Sequence, residues 1–155
     1  MIKSVKYEIE NAIGTLGLSE KDITILDRSR AEKVVKECSE HFSSVPNALW
    51  WWEHFREPYC IISDSNSAYL LLDEIIPEGT DHVWFFVQDH EAPYFIVCDT
   101  NPFVIKDIIG QCYGFEYYII PKSKSWLICE NHHNTIIGVG SMVCAKYARS
   151  SKGSI

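Results

Sequence analysis

Between residues 59 and 100 the sequence has no lysine or arginine, although eight acids fall there: Asp64, Asp73, Glu74, Glu78, Asp81, Asp89, Glu91 and Asp99. A nucleic-acid partner would require clustered positive charge against its phosphates, so this acidic middle excludes that class. It suits instead an acidic face for a basic protein partner. Also missing is any run of about 18 apolar residues, the minimum for a membrane-spanning helix. Glu8 and Glu10 stand where a signal peptide would place its apolar core, which predicts a soluble, cytoplasmic chain. No CxxC, HExxH or HxH spacing occurs, and there is no P-loop, GxSxG or dinucleotide-binding glycine pattern. Gly138-Val-Gly140 alone carries no such meaning. The six cysteines are scattered without close pairs, so they are expected to be reduced, buried, small hydrophobes rather than a disulfide framework.

What is present describes a packed globule. The 155 residues are 46% hydrophobic and 23% charged, with a net charge of −7. Their length predicts a single domain over 1–155 that buries roughly 70% of its unfolded surface. Ile2, Val5, Ile9 and Ile13 recur at helical spacing, with Gly14 and Gly17 as terminators. Ile23–Leu26 is a short apolar run. Asp27 can cap a helix reaching Phe42, and Ser43–Pro46 breaks it. Asn47–Phe55 reads as a helix carrying Trp50, Trp51 and Trp52, of which two can be buried and one left at a rim. Trp51 is assigned to that exposed rim as a binding residue.

Strands dominate from residue 59 onward, after which Ser65–Ile76 reads as a helix. Tyr59–Ile62 reads as a buried strand, and His82–Val87 with Tyr94–Cys98 as a hairpin. Asn101 and Pro102 are favoured N-cap and N1 residues for a further helix, with Gly114 as its left-handed stop. Phe115–Ile120 pairs with Trp126–Glu130, and Thr135–Val139 returns as one more strand. From about residue 145 the tail is polar and expected to fray. The fold class is α+β, with N-terminal helices packed on one face of a largely antiparallel sheet of five to six strands.

The stretch Trp126-Leu-Ile-Cys-Glu-Asn-His-His-Asn134 gathers a thiol, a carboxylate and two imidazoles. As an extended strand it places Trp126, Ile128, Glu130 and His132 on one face, with Leu127, Cys129, Asn131 and His133 on the other. Neighbouring histidines on a strand point apart, and no motif completes the three ligands a zinc site needs. No metal or cofactor is therefore expected. Were a metal bound, Cys129, His132 and His133 are the residues to hold it. A nucleophilic Cys129 beside an imidazole, or an acid–base pair of Glu130 and His132, would be the enzymatic alternative. The reading adopted is structural: a strand end fixed by hydrogen bonds, with no catalytic residues.

Gly114-Phe-Glu-Tyr-Tyr-Ile-Ile-Pro-Lys122, followed by Trp126-Leu-Ile-Cys-Glu-Asn-His-His133, resembles the C-terminal signature of a family of small uncharacterised bacterial proteins. That resemblance covers about residues 70–140 and implies no activity. At the level of layout and composition the chain is similar to SUKH-type toxin-immunity proteins, which implies a non-enzymatic, toxin-neutralising binder without catalytic residues. The expected function is accordingly a cytoplasmic protein-binding domain, possessing an immunity-like acidic and aromatic surface. Asp64, Asp73, Glu74, Asp89, Glu91 and Trp51 are the candidate partner-binding residues. A housekeeping interaction domain and a Cys/His or metal enzyme are the alternatives.

Overall fold

Strand segments that are apolar at successive positions, rather than at alternate ones, have no solvent face to offer. Tyr117–Pro121, Leu127–Glu130 and Ile136–Val139 are buried at every residue. They must therefore be covered on both sides. The computed structural model, which describes residues 4–45, 51–56, 58–89 and 95–145, does this with one seven-stranded antiparallel sheet between two sets of helices.

The elements run α1 (Val5–Leu16), β1 (Ile23–Ile25), α2 (Arg28–Phe42), β2 (Tyr59–Ser63), α3 (Leu72–Ile75), β3 (Val83–Gln88), β4 (Phe95–Thr100), α4 (Ile105–Gly110), β5 (Tyr117–Pro121), β6 (Leu127–Glu130) and β7 (Ile136–Val139). Short 3-10 turns occupy Trp51–Glu53, Ala68–Leu71 and Pro102–Val104, and residues 141–145 are helical. The strand order is β1-β4-β3-β5-β6-β7-β2. In register, Cys98, Phe85, Ile119 and Ile128 lie side by side across four strands.

Local signals account for most boundaries. The Ser4 hydroxyl caps α1 by accepting from the Tyr7 N–H at 3.1 Å. Gly17 closes that helix at φ 66°, a conformation glycine adopts without a Cβ penalty, so the helix runs through Gly14. Asp27 caps α2 by accepting from the Arg30 N–H at 2.9 Å. Asn101 likewise caps the turn begun by Pro102, accepting from the Phe103 N–H at 2.9 Å.

Five expectations are corrected. The sheet has seven strands, because the three-residue run Ile23–Ile25 pairs with β4 and is too short to announce itself as a strand. Helices cover both faces: α1, α3 and α4 lie over Ile119, Ile128 and Trp126, while α2 and Trp51 lie over Tyr118, Leu127 and Cys129. The Ser65–Ile76 helix is a 3-10 turn continued by one turn of α3. The helix after Pro102 ends at Gly110, so Gly114 is not its left-handed stop. Finally β2 is not buried but outermost, with Tyr59 56% and Ile61 57% exposed. Of the helix expected over Asn47–Phe55, residues 47–50 lie outside the described residues, as does the tail beyond 145.

Cysteine chemistry also departs from expectation. Cys60 on β2 and Cys144 in the 141–145 helical turn form a disulfide with a Cα–Cα distance of 5.7 Å. Sequence spacing could not reveal it, because the partners are 84 residues apart and meet only through the β7–β2 ladder. Gly138 makes room for the crossing: an added Cβ would stand 2.7 Å from Val143 Cγ1 and 3.0 Å from Ile62 Cδ1. Cys38, Cys98 and Cys129 are buried free thiols, as the composition suggested. Burial pushes Cys38 and Cys98 up to about 12.

Trp126, 2% exposed in the core that α1, α3 and α4 cover, should cost about 3–5 kcal/mol on replacement by Ala, measured by chemical denaturation. A denaturation curve superposing on the wild type would contradict the core assignment. Reducing the Cys60–Cys144 bond should lower stability by up to roughly 4.5 kcal/mol, the loop-entropy value for a closure of this length. Comparing melting with and without a dithiol reductant, beside a Cys144→Ser control insensitive to reductant, checks this.

Candidate functional site

With the middle of the sheet sealed on both faces, polar side chains emerge at its two ends. One end carries the cluster read from the sequence. β6 stops at Glu130, and residues 131–135 form its turn into β7: the Asn131 N–H donates to the Thr135 carbonyl at 3.1 Å. The Asn131 side chain accepts from the backbone N–H groups of His133 and Thr135 at 2.9 and 3.2 Å, and Asn134 takes φ 60°. Asparagine suits such turns because its amide can stand in for backbone partners and it tolerates the left-handed region.

Strand alternation therefore ends before the histidines. Their rings do not point apart but lie 4.1 Å from each other, and the Trp52 ring meets both edge-on at 5.6 and 5.9 Å. Glu130 and His132 also part company. Glu130 stays on the α1–α4 side, directly across the ladder from Tyr117. His132 instead meets Glu116, whose Oε1 is 2.8 Å from the His132 N–H and 2.6 Å from Nδ1. Glu116 is buried, so it clamps the turn from the strand beside it. It stands inside the quoted FEYY stretch, and the residue type alone gave no sign of its role.

Cys129 is fully buried in mid-strand. Its thiol is held well above the usual range by burial and by the nearby Glu116, against a hydrogen bond with Tyr118 that favours the thiolate. Such a group is a poor nucleophile, since the thiolate is the reactive form. Among the described residues no three His, Cys, Asp or Glu side chains converge as metal ligands. Burial also raises the Glu130 carboxyl above its ordinary value. The Tyr117 hydroxyl opposes that effect without reaching ordinary hydrogen-bond geometry, so burial dominates.

The candidate partner-binding residues separate. Trp51 is withdrawn from the surface: it is 1% exposed, its ring centroid lies 4.8 Å from that of Tyr118 and 5.5 Å from those of Phe86 and Phe95, and its backbone N–H donates to the Tyr118 hydroxyl at 3.0 Å. The reason is that residues 51–53 lie across the second face of the sheet, where a bulky indole fills the space α2 leaves. Asp64 is exposed just beyond β2. Asp73 and Glu74 are exposed on α3, and Asp73 pairs with Lys106 at 3.0 Å. Asp89 is half-buried after β3, and Glu91 lies outside the described residues.

The opposite end of the sheet holds a group that the sequence reading passed over. Asp99 accepts from Lys122 Nζ at 2.8 Å through Oδ2 and meets His82 Nδ1 at 2.9 Å through Oδ1. Its partial burial alone would raise the carboxyl, but the bonds to Lys122 and His82 hold it below its ordinary value. Lys122 Nζ also sits 4.7 Å from the Trp84 ring centroid. His82 and Lys122 line a cleft of about 520 Å³ with Ser123, Ser125, Trp126 and Met142. The signal was in the register: Val83 pairs with Pro121 and Trp84 with Asp99, which brings residues 82, 99 and 122 to one corner.

The chain belongs to a family of unknown function, DUF6756, whose profile matches residues 1–150. No curated protein and no solved structure matches it.

Because the folded-state carboxyl of Glu130 is raised, its ionisation opposes folding, and that opposition grows as pH rises above the ordinary glutamate range. Glu130→Gln should therefore raise the melting temperature at pH 7. The gain should shrink toward zero as pH falls below about 4.5, where the wild-type carboxyl is protonated in both states. A melting series across pH checks both the sign and the window.

Proposed function

We propose that this chain is a non-enzymatic protein-binding domain with an immunity-like role, neutralising a basic toxin through an acidic and aromatic surface. The observation that supports this most directly is the edge strand β2. β2 pairs with β7 alone among the described strands, leaving a row of backbone donors and acceptors along its other edge. On one side of it Tyr59 and Ile61 are each more than half exposed, and the Phe55 ring lies 6.2 Å from that of Tyr59. Two large apolar side chains beside an edge suit a partner that docks against it.

Asp64 stands just past the end of this strand and Glu53 is exposed in the preceding turn, with the exposed Arg56 between Glu53 and the strand. Asp64, Glu74, Asp89 and Glu91 supply the long-range attraction that would speed encounter with a basic protein. Asp73 contributes less, because Lys106 already meets its charge. The enzymatic alternative rests on His132 held by Glu116, and it loses Cys129 as a nucleophile. A housekeeping interaction domain would use the same strand against another partner.

The test uses basic proteins encoded beside this gene. Wild-type protein should bind one of them, with association slowing as salt rises. Ile61→Lys should weaken binding by about thirtyfold or more, the loss of an interface anchor worth about 2 kcal/mol. Binding by Ile61→Lys and Tyr59→Lys that equals the wild type at low salt would remove β2 from the interface. No binding to any neighbouring basic product would overturn the toxin-directed reading.

A further inference from the structure

We propose that the cleft at the His82 end of the sheet binds the phosphoryl group of a small phosphomonoester. Asp99 is a carboxylate and so only accepts hydrogen bonds. Its contact with His82 therefore assigns the proton to Nδ1, and in the neutral ring Nε2 is left with its lone pair. The other oxygen takes one N–H of the Lys122 ammonium, which has three. Ser123 and Ser125 share one hydrogen bond at 2.8 Å, so one of their two hydroxyl protons remains to be given. His82, Lys122, Ser123 and Ser125 all line the cleft.

The residues lining the cleft thus include His82, whose Nε2 is an acceptor, together with the donors Lys122 and the serine pair. A ligand matched to it must donate one proton and accept several within one compact group. A carboxylate or a sulfate has no proton to give near neutral pH. A phosphomonoester, with a second pKa of about 6, carries both an O–H and anionic oxygens in its monoanion. The remaining charges limit the ligand. Glu78 and Asp81 are exposed at the rim, and Asp81 accepts from the backbone N–H of His82 at 2.9 Å. These acids disfavour a di- or triphosphate. The exposed Met142 and the prolines Pro77 and Pro121 give the organic part an apolar wall, and about 520 Å³ falls within the range of small-molecule sites.

The full-length protein is titrated with phenyl phosphate, inorganic phosphate, sulfate and acetate at constant ionic strength, following the His82 ring and Met142 methyl signals by NMR. Phenyl phosphate should give saturable shifts and bind more tightly than inorganic phosphate, with sulfate and acetate giving none. Lys122→Met should weaken phenyl phosphate by about tenfold or more, the loss of one charge-assisted hydrogen bond. The surface double variant Ser123→Ala/Ser125→Ala, which leaves the Asp99 cluster in place, should also weaken it. Lys124→Met, at a residue outside the cleft, should not. The proposal is overturned by equal responses to sulfate and phosphate, by no saturable shift with either phosphate, or by unchanged binding in the Ser123→Ala/Ser125→Ala variant.

Discussion

The burial of β5, β6 and β7 on both faces governs the rest of this protein. A strand apolar at every position cannot lie on a sheet with one wet side, so helices must close over both. That requirement places α1 and α4 on one side and α2 with the Trp51 turn on the other. It also leaves only the ends and edges of the sheet for groups that must stay hydrated. His132 with Glu116 emerges at one end and His82 with Asp99 and Lys122 at the other. The edge strand β2 keeps Tyr59 and Ile61 at the surface.

The same burial decides which groups can react. Cys38, Cys98 and Cys129 lie within the packed layers, where loss of hydration disfavours their thiolates and makes them small apolar side chains. Cys60 and Cys144 sit at the margin of the sheet, only partly covered, and there the chain is cross-linked instead. Charge follows a comparable division. The stretch 59–100 contains no lysine or arginine, yet Asp73 finds Lys106 and Asp99 finds Lys122 across the fold. Part of the acidity that looks uncompensated along the chain is compensated in space.

Much was legible in the sequence where the controlling physics is local. Asp27 and Asn101 cap helices because their short side chains reach a backbone N–H two or three residues ahead. The β3–β4 and β5–β6 pairings follow from neighbouring apolar runs joined by short turns, and the faces of Trp126 through Glu130 follow from strand alternation. Reading fails where alternation stops: the Asn131–Thr135 turn rotates His132 away from the Glu130 side, and no pattern of residue types announces that rotation.

By itself the sequence determined an antiparallel α+β fold, the Asp27 and Asn101 caps and the inert burial of Cys129, since each depends on residues close along the chain or on composition. Only the tertiary structure decided that Trp51 is core, that β2 is outermost, and that Cys60 meets Cys144. It alone brought Glu116 to His132 and Asp99 to His82 and Lys122. These outcomes depend on strand order, which pairs residues far apart in sequence. Because β2 inserts beside β7 rather than beside its chain neighbours, the contacts that distinguish this protein are set by which strands lie adjacent.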